Sequence, residues 1–215
     1  MTFNIYRLGL LFFIFTLLVA EPYVSQAIIK AITAKYGEEA KNRFELLNST
    51  IEHLKDKSEL EKLQGINDFY NDVPYLSDQE NWHLKDYWAT PLEFLGHDRG
   101  DCEDYVIAKY FALRSLGIES KKLYFSYVKS LKYQQAHMVL TYFETPQSIP
   151  LVLDNYNLKI FPASKRRDLI PIYNFNGDSL YLASKKGQQG KAIQKTDKTH
   201  KKWDILINDI KRNKL

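Results

Sequence analysis

One cysteine occurs in 215 residues. That scarcity excludes a disulfide-stapled scaffold and a four-cysteine zinc site. No apolar run reaches the about 20 residues that a bilayer-spanning helix needs; the longest, residues 8–20, has 13. No internal repeat is present. Net positive charge is confined to one stretch: residues 185–202 hold seven lysines and one aspartate, so the net charge of +4 leaves the remainder at −2. A mildly acidic body excludes a nucleic-acid-binding domain, and the basic stretch reads as a solvated flexible segment. Hydrophobic residues make up 45%, which excludes disorder of the whole chain, and aromatics at 14% suit a core that contains strands.

The apolar run follows Arg7 and ends among small residues, the pattern of an export signal. Ser25-Gln26-Ala27 offers a small-x-small cleavage site, with Ala20 as a poorer alternative. The expected organisation is a signal peptide over residues 1–27, one domain over 28–183, and a basic flexible segment with a short amphipathic helix over 184–215. An exported protein with one cysteine holds either an intermolecular disulfide or a thiol kept for chemistry.

Residues 26–64 carry apolar positions at helical spacing, with breaks expected at Gly37 and at Asn48-Ser49. A structured loop around Trp82, Tyr87, Trp88 and Pro91 follows. The clearest helix covers residues 101–116: Gly100 and Asp101 start it, Val106, Ile107, Tyr110, Leu113 and Leu116 make its apolar stripe, and Gly117 stops it. Strands are expected at 123–128, 136–143, 149–155, 169–174 and 180–183, the second and third joined by a hairpin through Pro146-Gln147-Ser148. Helices followed by strands on short turns predict an α+β fold with an antiparallel sheet.

Cys102 starts the clearest helix, where unpaired N–H groups and the helix dipole favour a thiolate. Its setting, Arg99-Gly100-Asp101-Cys102-Glu103-Asp104, is too polar for an inert core cysteine. A nucleophilic thiol needs a base and a group to orient that base. His53, His97 and His200 fall in helical, loop or tail contexts and His83 in the Trp-rich loop; His137 lies near the start of a strong strand. A hairpin centred between Thr145 and Pro146 places His137 directly opposite Asp154, with Cβ atoms about 5 Å apart.

Asp101, Glu103 and Asp104 bracket the nucleophile with like charge, which raises a thiol pKa. A divalent cation on these hard oxygens resolves that conflict, and calcium suits them; acids favouring a helix start is the plainer reading. The spacing is not that of an EF-hand.

The order Cys102, His137, Asp154, the stretch Asp86-Tyr87-Trp88-Ala89-Thr90-Pro91 with Glu93, and the runs Gly100-Asp101-Cys102-Glu103-Asp104-Tyr105, Ala136-His137-Met138-Val139-Leu140 and Leu153-Asp154-Asn155 resemble the bacterial transglutaminase-like cysteine proteinases. The likeness covers roughly residues 45–183. Within the family it is nearest to the periplasmic branch that releases biofilm adhesins. The resemblance implies a transglutaminase/papain-like cysteine protease fold, with N-terminal helices and the nucleophile at a helix N-terminus packed on an antiparallel sheet. It also implies a calcium requirement and a periplasmic location. The implied substrate is a large surface adhesin cut at a paired-alanine site near its N-terminus. The implied inhibitor is the periplasmic domain of an inner-membrane cyclic di-GMP receptor. The oxyanion is expected on the Cys102 backbone N–H plus a second donor, for which Trp88 is one choice. An acyl transferase using the same triad and a non-catalytic binding module are the alternatives.

Overall fold

The computed structural model describes residues 21–176, 180–183, 189–193 and 197–215. The segment read as an export signal lies largely outside these residues. Its expected boundary after Ala27 falls inside the first helix of the fold. Helix α1 is Gln26–Tyr36, and its N-cap Ser25 accepts from the Ile28 amide. Val24 is buried and clamped by Asn48, whose amide side chain accepts from Val24 N and donates to Val24 O, both at 2.8 Å. A cut after Ala27 would remove the cap and the clamp; a cut after Ala20 spares both.

Gly37, at φ +88°, separates α1 from α2 (Glu38–Leu54). The break expected at Asn48-Ser49 is absent, because Asn48 turns its side chain outward to hold Val24 and leaves the helix intact. α3 (Glu59–Asn71) opens on a capping box between Ser58 and Glu61. It runs through Gly65, where a Cβ would sit 2.7 Å from Leu54, so glycine lets α2 and α3 approach. The Trp-rich loop contains the single turn α4 (Asp78–Asn81) and leads to α5 (Pro91–His97), capped by Thr90 and Glu93 with Pro91 in the first turn. α6 (Cys102–Ser115) begins on a capping box between Asp101 and Asp104. It ends at Gly117, φ +87°, where the Ile118 amide bonds Leu113 O at 3.1 Å.

Seven strands follow: β1 (Leu123–Ser130), β2 (Gln135–Tyr142), β3 (Leu151–Leu153), β4 (Phe161–Pro162), β5 (Leu169–Phe175), β6 (Leu180–Ala183) and β7 (Gln189–Ile193). They form one antiparallel sheet in the order β4-β3-β2-β1-β5-β6-β7. Two expectations are corrected here. The stretch read as flexible contains β7, and the last helix, α7 (Asp197–Lys211), has 15 residues rather than a turn or two. α7 is not an appendage: Leu206 is buried, and Trp203 packs on Phe111, Phe125 and Phe175.

Helices cover one face of the sheet. Phe125 on β1 and Met138, Leu140 and Tyr142 on β2 join the main core with Phe44, Leu63, Ile66, Phe94, Ile107 and Leu113. The alternate residues, Val128, Val139 and Val152, form a separate cluster on the face turned away. α6 is buried nearly all round from Asp104 to Leu113, while Cys102 and Glu103 at its start are half-buried. Among the described residues no helix is long and apolar enough to cross a membrane.

Candidate active site

The backbone before α6 is shaped for close contact. A Cβ on Gly100 would lie 2.5 Å from Asp104 Oδ2 and 2.6 Å from Phe94, so only glycine admits the capping carboxylate there. Cys102, the first residue of α6, borders a cavity of about 260 Å³ with Tyr75, Asp101, Glu103, Tyr127, Gln135, Ala136, His137, Met138 and Tyr156. The Cys102 thiol donates to Glu103 Oε2 at 3.1 Å, and the Met138 amide donates to its sulfur. Burial, then the charges of Glu103 and Asp101, push the thiol well above its ordinary pKa.

His137 and Asp154 meet as the sequence argument requires, by a different register. Leu140 pairs with Leu153 and Tyr142 with Leu151, two residues away from the expected alignment. The reason is the turn: Ser148 N bonds Thr145 O at 3.0 Å, so Pro146 and Gln147 are the central pair and the hairpin centre moves one residue along. A slip of two preserves side-chain faces. His137 Nε2 therefore still reaches Asp154 Oδ1 diagonally, at 2.8 Å, and both side chains are fully buried. Tyr156, just beyond β3, stacks flat on the imidazole, with centroids 4.0 Å apart and planes at 3°. His137 Nδ1 is buried without a hydrogen-bond partner, and His137 lines the same cavity as Cys102.

Asp154 is held from every side. Oδ1 also accepts from the Tyr156 amide at 2.9 Å, and Oδ2 accepts from Arg166 Nη2 at 2.6 Å. Its backbone carbonyl accepts from Asn71 Nδ2 at 3.0 Å and Lys109 Nζ at 3.4 Å. Burial would raise its pKa, but the His137 bond and charge, the Tyr156 amide and Arg166 outweigh it and bring the carboxyl down to about 2. That lies below the about 3.9 of an unfolded chain, so the folded protein binds fewer protons. The resulting stability, about 2–3 kcal/mol, is present above about pH 4 and is lost as pH falls through about 2. In Asp154→Asn this acid-side slope should flatten, which urea unfolding between pH 2 and 5 will read; an unchanged slope would show that Asp154 does not carry it.

The three acids beside Cys102 gather with two more, Asp78 from α4 and Asp86. Asp78, Asp101 and Asp104 bring carboxylate oxygens within 4.8 Å of one another, and Glu103 does so with Asp78 and Asp86. Asp104 accepts from the Ala89 amide at 2.9 Å and the Asp101 amide at 3.3 Å; Asp78 Oδ2 accepts from the Tyr87 amide. Asp78 Oδ1 and Asp101 Oδ1 are buried with no partner. Burial, with the neighbouring carboxylates, pushes Asp78 up to about 6 and Asp101 up to about 11. Buried, mutually repelling carboxylates with orphaned oxygens are the donor set a hard divalent cation fits. Trp88 is not on the Cys102 cavity; it stacks on Phe175 and carries Lys202 over its ring.

Asp78, Tyr156, Arg166 and Lys109 escaped the sequence reading. Asp78 is 23 residues before Asp101, and Arg166 is 12 after Asp154, without a motif to mark either. Lys109 sits on the stripe of α6 read as core, and its Nζ bonds Asn67 Oδ1 at 2.9 Å and Asn71 Oδ1 at 2.7 Å. Burial, against the charges of Asp154 and Asp68, lowers its pKa to about 7.

No curated protein matches the chain. Legionella pneumophila LapG, in its calcium-bound structure, is 37% identical with a TM-score of 0.73, over 85% of this chain and 97% of that one. A second structure of Legionella pneumophila LapG is 38% identical with a TM-score of 0.72, over 90% and 99%. The EGTA-treated form is 37% identical with a TM-score of 0.72, over 90% and 100%. The profile of the bacterial transglutaminase-like cysteine proteinases matches residues 34–167, more than half the chain, and the protein belongs to that family.

Proposed function

We propose that the protein is a calcium-dependent cysteine endopeptidase of the periplasm. In this reading it cuts a large surface adhesin near its N-terminus at a paired-alanine site, releasing it and dispersing the biofilm. The periplasmic domain of an inner-membrane cyclic di-GMP receptor holds it inactive. The observation that carries the reading is the buried His137–Asp154 pair beside the one thiol of the chain, with an acidic cluster at that thiol's helix start. Calcium-bound and EGTA-treated structures of a relative this similar support the choice of ion.

In the proposed reaction, His137 Nδ1 takes the Cys102 proton and the thiolate attacks the scissile carbonyl. Asp154 keeps the imidazole oriented and balances its charge, and Arg166 keeps Asp154 ionised and in place. The oxyanion rests on the Cys102 backbone N–H, one of the unpaired donors of the first turn of α6. The protonated imidazole then gives its proton to the leaving amine, and water, deprotonated by the same ring, releases the acid product. Asp101, Glu103, Asp78 and Asp104 would hold calcium, which supplies the positive charge that offsets their repulsion of the thiolate.

The test is incubation of the exported protein with an N-terminal adhesin fragment carrying the paired alanines. Mass spectrometry should find two products whose masses sum to the fragment plus one water, with the cut between the alanines. Products that carry an added amine instead would replace the protease with an acyl transferase.

A further inference from the structure

The chain leaves β3 by a tight turn: Asp154 Oδ1 accepts from the backbone N–H of Tyr156, two residues on, as in an Asx turn. That turn lays the half-buried Tyr156 ring flat against His137, with centroids 4.0 Å apart and planes at 3°. Tyr156 is itself held in place. The Tyr133 ring meets it edge-on at 4.6 Å and the Tyr75 ring at 6.1 Å, and Gln135 Nε2 donates to its hydroxyl at 2.9 Å. One residue therefore bonds the carboxylate through its main chain, covers the imidazole with its ring and lines the cavity of Cys102. The imidazole needs such a cover. Its χ2 torsion has no narrow staggered well, and the bond from Nε2 to Asp154 fixes one atom of the ring. Rotation about Cβ–Cγ would swing Nδ1 sideways. A flat face 4.0 Å away opposes that rotation, because tilting drives an imidazole edge into it.

We propose that Tyr156 is a positioning residue for peptide cleavage: its aromatic face sets the tilt of His137 and so keeps Nδ1 placed for the Cys102 proton. The assignment rests on the cysteine endopeptidase reading. It gives the work to the ring face rather than to the hydroxyl, which faces Gln135 and not the imidazole nitrogens. A misplacement of about 1 Å at a reacting group costs about 10²-fold in rate, so a small loss of tilt control has a large effect.

Tyr156→Leu removes the flat face, and Tyr156→Phe keeps it without the hydroxyl. Tyr156→Met is read in place of the leucine variant if that one does not fold. The full exported protein, with calcium, is used in excess over the adhesin fragment so that a single turnover is followed. Cleavage should slow about 10²-fold in Tyr156→Leu, with the half-saturating concentration changed by no more than about twofold, and Tyr156→Phe should recover most of the rate. Carbon-13 relaxation of the His137 ring should show it as rigid as the backbone in the unaltered protein and in Tyr156→Phe, and looser in Tyr156→Leu. A leucine variant within about threefold of the unaltered rate, a loss confined to half-saturation, or a phenylalanine variant as slow as the leucine one would each overturn the assignment. If the unaltered protein cuts no peptide, the endopeptidase reading fails by itself and the relaxation measurement decides the rest. A ring looser in Tyr156→Leu then sustains the hold on His137, and an equally rigid one removes it.

Discussion

Cys102→Ala should keep its fold and lose peptide cleavage by about 10⁵-fold or more. Nothing in the cavity can replace the sulfur: its other lining residues are tyrosines, acids, an amide, an alanine, the histidine and a methionine, with no serine, threonine or lysine among the described residues. The His137–Asp154 pair does not depend on the thiol for its geometry, since its bonds run to Tyr156 and Arg166. Removing sulfur removes a donor facing Glu103 and one half-buried contact at the edge of the core. Stability should therefore fall by about 1 kcal/mol, the ordinary cost of a single substitution. Cleavage of an adhesin fragment over long incubation, with urea midpoints measured in parallel, checks both halves. Retained cleavage would remove Cys102 from the mechanism; lost cleavage with a lost fold would be read against Cys102→Ser, which keeps the shape.

Stripping calcium should lower the melting temperature by roughly 5–10 °C and stop cleavage. The argument is the pair of orphaned oxygens, on Asp78 and Asp101, inside a cluster of buried acids. A ligand at a hundred times its dissociation constant stabilises by about 2.7 kcal/mol. Each kcal/mol is worth about 2–4 °C in a chain of this size. Direction with pH follows from the raised carboxyls. In the metal-free protein Asp78 and Asp101 hold protons that the unfolded chain has released, so its stability falls as pH rises above about 4. The stabilisation by calcium should grow over the same range. Magnesium, which demands a tight octahedron and gives up water reluctantly, should restore less. A melting temperature indifferent to chelator would leave the acids as helix-start residues alone.

The nucleophile helix was legible from sequence because all its signals are local: a glycine and a capping acid before it, a stripe within it, a glycine after it. The His137–Asp154 contact was legible because side-chain faces in strands repeat every two residues, so an alignment wrong by two still brings the same faces together. What escaped depends on contacts distant in sequence. Asn48 looks like a helix breaker until Val24 is seen to need it. β7 lies in a lysine-rich stretch whose pairing partner, β6, decides its conformation more than composition does. Asp78 and Arg166 become site residues only when α4 and the chain after β4 fold against Asp101 and Asp154.

Lys109 has a consequence for how the molecule opens. Among the described residues its amino group has no carboxylate partner within hydrogen-bond reach; it is held by two asparagines of α3 and by the carbonyl of Asp154 at the end of β3. The helix that starts at Cys102, the helix behind it and the strand end that carries Asp154 therefore share one buried amino group. None of the three can swing away without stranding that polar group in an apolar interior. Local fluctuation at this end of the sheet is thereby fused to global unfolding, and backbone amides around Asp154 should exchange with solvent only when the whole domain comes apart. The carboxylate that holds His137 gains from this a position that does not breathe.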